Sequence, residues 1–126
     1  MTLAREAALA LIADGADVLY HHVDAADAGI IAAAEDENVY AIGLYRDSSD
    51  LGPDAVIGSA IGFPGDMIYR LACGMVPMGE KQWLNVHTGV DIHMTDLTPP
   101  DVQARLREVV EKIKSGELEI KMFGQE

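Results

Sequence analysis

The feature that most restricts the fold is the way apolar patterns change period along the first 76 residues. Residues 3–13 repeat apolar positions at helical spacing, are rich in Ala and Leu, and stop at Gly15. Residues 17–22, DVLYHH, read as a short strand. Asp24 or Asp27 can cap a second, alanine-rich helix over about 26–36. VYAIGL at 39–44 is a short continuous apolar run, the pattern of a central parallel strand covered on both faces. A loop, YRDSSDLGPD, fills 45–54, and AVIGSAI at 55–61 is a third strand. Gly62, Pro64 and Gly65 break it, and a third helix covers 66–76. Strands alternating with helices predict an α/β domain built as a three-layer, Rossmann-like parallel sheet. The chain opens on a helix, whereas a crossover helix normally follows a strand. The sheet is therefore expected to be incomplete at its N-terminal strand.

The remainder is less regular. Residues 77–98 hold Trp83, His87, His93 and the alternating stretch VDIHM, which suits an edge strand or a hairpin. Trp83 either anchors this segment on the sheet or faces a partner, because aromatic residues are enriched at interfaces. Thr98 is expected to cap a final helix over about 99–115, with Pro99, Pro100 and Asp101 at its start and Gly116 at its end. LEIKMF at 118–123 reads as a last short strand. All of 1–126 is expected to form one domain.

Composition narrows the partners. The 126 residues include 21 acidic and 9 basic side chains, a net charge of -12. Residues 1–66 carry 12 acids against Arg5 and Arg46, a net of -10; residues 67–126 carry 9 acids and 7 bases, a net of -2. Such a surface repels phosphates, which argues against nucleic acid. An apolar fraction of 49% is too high for an acidic disordered tail. No apolar run approaches the roughly 20 residues of a membrane span. The first residues do not read as a secretory signal, since Glu6 follows Arg5 and Asp14 interrupts the apolar stretch. The only cysteine, Cys73, leaves no internal disulfide and no lipid attachment point near the start. The chain as given therefore reads as cytoplasmic.

Candidate chemistry lies after the predicted strands, where open α/β sheets bind ligands. His21, His22 and Asp24 follow the first strand, Tyr45, Arg46, Asp47, Ser48 and Ser49 the second, and Gly62, Phe63, Pro64 and Gly65 the third. Asp47 suits ligand hydroxyls, and Tyr45 or Phe63 suits a stacked ring. His21 and His22 are adjacent, so in a strand they point to opposite faces and only one joins a site easily. His87 and His93 show no metal-ligand spacing. No G-x-S-x-G elbow, G-x-G-x-x-G or Walker loop is present. No metal, cofactor or catalysis is expected. The bland alternative is that these are ordinary polar loop residues.

The stretch ALALIADGADVLYHHVDAADAGIIAAAEDENVYAIGLYRDSSDLGPDAVIGSAI resembles the basic membrane protein family, and so does LTPPDVQARLREVVEKIKSGELEI at the end. These are periplasmic-binding-like substrate-binding lipoproteins of ABC transporters, purine nucleoside receptors among them. The signature is a GADV strand, a helix, VYAIG, and an acidic DxSDLxPDAVI loop. The resemblance implies one lobe of a type I periplasmic-binding-like protein, and it is expected to cover only the family's C-terminal part or second lobe. Full-length relatives are exported, bilobed and lipid-anchored. The family's acidic ligand contact falls on Asp47, where the resemblance implies a grip on sugar hydroxyls. His22 falls at the cleft border. Tyr45 departs from the family's acidic or polar residue. Gly62, Phe63 and Pro64 replace the Lys-Asn-Phe of nucleoside binders, so the lysine is lost. Another branch has Trp-Gly there, of which Gly65 keeps the glycine.

The expectation is a nucleoside-like small-molecule-binding module with Asp47, His22, Tyr45, Phe63 and Ser48 at its site. A homodimer or higher oligomer is expected to complete that site, because an open sheet edge and an apolar lobe surface are costly in isolation. The alternatives are a ligand-free structural or remnant domain and a protein-interaction adaptor. An enzyme built on Asp47 and His22 as acid and base is the least favoured reading.

Overall fold

The computed structural model describes residues 2–62, 64–79, 86 and 89–120. In chain order the elements are α1 (Thr2–Ala13), β1 (Val18–Tyr20), α2 (Asp27–Asp36), β2 (Tyr40–Tyr45), β3 (Val56–Gly62), α3 (Pro64–Ala72), β4 (Val90–Met94) and α4 (Pro100–Ser115). Two short 3-10 turns, Asp24–Ala26 and Ser49–Leu51, precede α2 and β3.

The helices stop where the backbone turns left-handed. At the end of α3, Gly74 has φ +67°, its N–H donates to Leu71 C=O, and the Met75 N–H donates to Arg70 C=O. This pair of bonds satisfies carbonyls the helix would otherwise orphan, and a glycine takes the left-handed turn without a Cβ clash. Asn38 performs the same closure after α2, with φ +56° and bonds from Asn38 N–H to Glu35 C=O and from Val39 N–H to Ala34 C=O. α3 is thus shorter at its end than the 66–76 expected from sequence, and Pro64 opens it two residues earlier. Thr98 does not cap α4. Pro99 holds the cap position without a side-chain bond, and the Thr98 hydroxyl donates to Ile57 C=O instead.

The strands form one sheet in the order β1-β2-β3-β4. β1, β2 and β3 run parallel, as the alternation of strand and helix requires. β4 is antiparallel and makes the sheet mixed. Val90 pairs with Gly62 and Met94 with Gly58, so the chain re-enters the sheet at the end where β3 leaves it. No crossover is needed for that return. VDIHM is therefore an edge strand. The expected strand at 118–123 does not form over 118–120, and its other residues lie outside the described ones, as do Trp83 and His87.

The register assigns the faces. Leu19, Ala41 and Val56 lie side by side on one face, and the bulge at Ala41/Ile42 keeps Gly43 and Ser59 on it too. α2 covers this face with Ile30, Ile31, Ala33 and Ala34, and α1 packs behind it through Ala8. The core is therefore small and alanine-rich. On the opposite face, Ile92 and Met94 form a groove with Leu106 and Val110 of α4. Val18, Tyr20 and Tyr40, also on that face, are 41%, 62% and 47% exposed. The architecture is α/β with helices on both sides of the sheet.

Candidate functional site

Two strand exits lie next to each other because β1 and β2 are parallel neighbours. The β1 exit carries His21 and His22 and then turns sharply through Asp24, whose φ is +47°. The β2 exit begins at Tyr45, whose φ is +67°. Asp24, Ala25, Asp27, Leu44, Tyr45 and Arg46 line an open pocket of about 260 Å³ between the exits.

The alternation of side chains separates the two histidines. His21 is buried and His22 is exposed. His22 Nε2 lies 2.5 Å from the Tyr45 hydroxyl, with ring centroids 5.4 Å apart and tilted by 56°. Burial holds the His21 ring below the usual histidine pKa; the Asp27 carboxylate opposes that shift and His22 adds to it. Asp27 stands at the start of α2, where a carboxylate suits the helix dipole. Its Oδ1 accepts the Ala28 N–H at 2.7 Å and its Oδ2 accepts from Arg46 Nη2 at 3.0 Å.

The rest of the β2–β3 loop turns away from this pocket. Asp47 Oδ1 accepts the Ser49 N–H at 3.0 Å, and Oδ2 lies 3.4 Å from His93 Nε2 on β4. The Ser49 bonds hold the Asp47 carboxyl below the usual carboxylate pKa, with His93 a lesser contributor. Ser48 is fully buried; its N–H donates to Ser59 Oγ at 3.1 Å and its hydroxyl to Arg46 C=O at 3.4 Å.

The structure therefore brings together His22 and Tyr45 from the sequence-derived set, pairs Asp47 with His93 instead of His22, and buries Ser48 beneath the loop. Phe63 lies outside the described residues. Asp24, Asp27 and Arg46 line the pocket although they stand outside the five residues expected at the site. Arg46 carried a signal of its own, being the sole Lys or Arg between Arg5 and Arg70 in an acidic stretch. Among the described residues no group of three or more His, Cys, Asp or Glu is placed to hold a metal ion. No helix there is long and apolar enough to cross a membrane.

The chain matches the family model described as Bmp, ABC transporter substrate-binding protein PnrA-like, over residues 1–122. That span corrects the expectation of a likeness confined to the family's C-terminal part or second lobe, because nearly the whole chain is matched. Local patterns such as GADV and VYAIG mark where motifs recur, but not how far a family model extends. No curated protein matches. A solved transcriptional activator of the comK gene from Bacillus halodurans aligns with a TM-score of 0.75 and 21% identity, over 88% of this chain and 41% of its own. An ABC-transporter solute-binding protein from Conexibacter woesei DSM 14684 aligns with a TM-score of 0.60 and 26% identity, over 93% of this chain and 41% of its own. The chain thus spans about two-fifths of the length of these structures, and it matches one lobe of a periplasmic-binding-like fold. A family of substrate-binding proteins agrees with the non-catalytic reading of the sequence. On the extent of the family match and the shared fold, the chain belongs to the Bmp family of PnrA-like ABC-transporter substrate-binding proteins.

Proposed function

We propose that the chain is a small-molecule-binding module whose ligand is nucleoside-like, uncharged or cationic, and held at the exits of β1 and β2. The observation that carries this reading is backbone strain gathered in one place. Among the described residues three non-glycines have positive φ; Asn38 closes a helix, and the other two, Asp24 and Tyr45, line the same pocket. Strained non-glycine residues concentrate at ligand clamps, where surrounding structure holds them. In this reading Tyr45 stacks on a ring, and His22 fixes the Tyr45 hydroxyl. Asp47, held by Ser49 and His93, lies outside the pocket lining and has no part in this reading, and Ser48 pins the loop from below through Ser59. Acidic Asp24 and Asp27 disfavour a phosphorylated ligand. The pocket, at about 260 Å³, falls below the roughly 300–1,000 Å³ of self-sufficient small-molecule sites. A second copy of the chain would supply the missing wall.

The test is a melting-temperature and NMR panel with adenosine, guanosine, inosine, cytidine, uridine and ribose. A saturable response to at least one nucleoside is expected. Tyr45→Ala is expected to weaken binding by about tenfold, the worth of one base stacked on an aromatic ring. Silence from the entire panel would replace this reading with that of a ligand-free structural or adaptor domain.

A further inference from the structure

Among the described residues, the only buried side-chain nitrogen or oxygen atoms lacking a hydrogen-bond partner are Nδ1 and Nε2 of His21. The residue is 7% exposed. A neutral imidazole carries one N–H donor and one acceptor. Burying both unsatisfied is costly and calls for a reason. The ring's surroundings supply one. Asp27 acts on it from α2 with an attractive charge, and His22 acts from the β1 exit with a repulsive one. Asp27 is itself buried, and one of its oxygens is occupied by Arg46 from the β2 exit. Arg46 is half-exposed and, with Asp27, forms part of the pocket wall.

We propose that His21, Asp27 and Arg46 form a proton-driven latch on this pocket. At neutral pH the buried ring is uncharged and Arg46 holds Asp27. When the ring takes a proton from solvent, its vacant nitrogen gains an N–H and both nitrogens become donors. The new positive charge competes with Arg46 for the Asp27 carboxylate, and the guanidinium swings out of the wall. Burial keeps the latch closed to below the ordinary histidine range. The linkage has a definite sign. A histidine with a depressed folded-state pKa contributes stability that is complete above its unfolded value of about 6.5 and is lost as pH falls through the folded value. The latch rests on the pocket's geometry and not on its ligand, so a silent nucleoside panel leaves it standing.

The test follows the histidine ring nitrogens and the Arg46 guanidinium by NMR on the full ¹⁵N-labelled chain from pH 8 to pH 5. His21 is expected to titrate below about 6.5, and the Arg46 signal to move with the same midpoint. His21→Leu is expected to abolish the Arg46 movement. Asp27→Asn is expected to lower the His21 midpoint further, because an attracting charge is gone. An Arg46 signal that stays flat while His21 titrates overturns the latch, and so does an Arg46 signal that moves equally in His21→Leu. The first of these outcomes is read from the unaltered chain, so it holds even where a variant fails to fold.

Discussion

Gly43 sits in the middle of β2 with no room beside it. A Cβ there would lie 2.6 Å from Ser59 Oγ and 2.7 Å from Ser48 Cβ, both in buried residues that cannot retreat. Gly43→Ala is expected to destabilise the fold by about 1–3 kcal/mol, the range for overpacking a tight interior. Urea unfolding measures this, with Gly65→Ala as the control, since nothing lies within 4 Å of a Cβ at Gly65. Part of this residue-scale logic was legible in advance. The alternation rule alone separated His21 from His22, and the structure buries the first and gives the second to Tyr45. The pairing of Asp47 with His93 was not legible. It depends on which residue of β4 lies opposite Ser59, and a register 34 positions apart leaves no local trace. Ser48 likewise looks like any loop serine until β3 brings Ser59 under it.

At the scale of elements, the boundaries were set by turns that sequence periodicity underweights. The apolar pattern runs on past Ala72 through Cys73 and Met75, so it favours a longer helix than the one that forms. Gly74 stops it by taking the left-handed turn, its own N–H closing onto Leu71 C=O and the Met75 N–H onto Arg70 C=O. Gly74→Ala is therefore expected to cost about 1–2 kcal/mol, the penalty of a Cβ in that conformation. The same unfolding measurement checks it, and a cost near zero would mean that the cap contributes little. The parallel strands were legible from their short apolar runs. The antiparallel sense of β4 was not, because VDIHM alternates equally well in either direction.

At the scale of the molecule, two properties oppose each other. Val18, Tyr20 and Tyr40 leave apolar area exposed on β1 and β2, and β1 is an edge strand of the sheet among the described residues, which favours association. A net charge of -12, with -10 of it in residues 1–66, repels a second copy. Salt screens such repulsion, with a Debye length of about 10 Å at 0.1 M and about 3 Å at 1 M. Sedimentation velocity is therefore expected to show more dimer or higher oligomer at high salt than at low salt. A monomer at every salt concentration would remove self-association from the functional reading. Tyr20→Lys tests the same surface, and is expected to weaken association without touching the α2-side core.

The alanine-lined interior has one further consequence. Ala33 and Ala34 of α2 share one buried cluster with Ala41 and Ala55, so part of the packing between α2 and the sheet is made by methyl groups. At those four alanines there is little left to lose by truncation, so change there runs mainly toward larger side chains. Each added carbon would lever α2 outward, and Asp27 rides on its first turn. Because Asp27 is Arg46's anchor, the width of the core and the shape of the pocket are one quantity. Substitutions far from any ligand would thus act on binding by way of helix-to-sheet spacing.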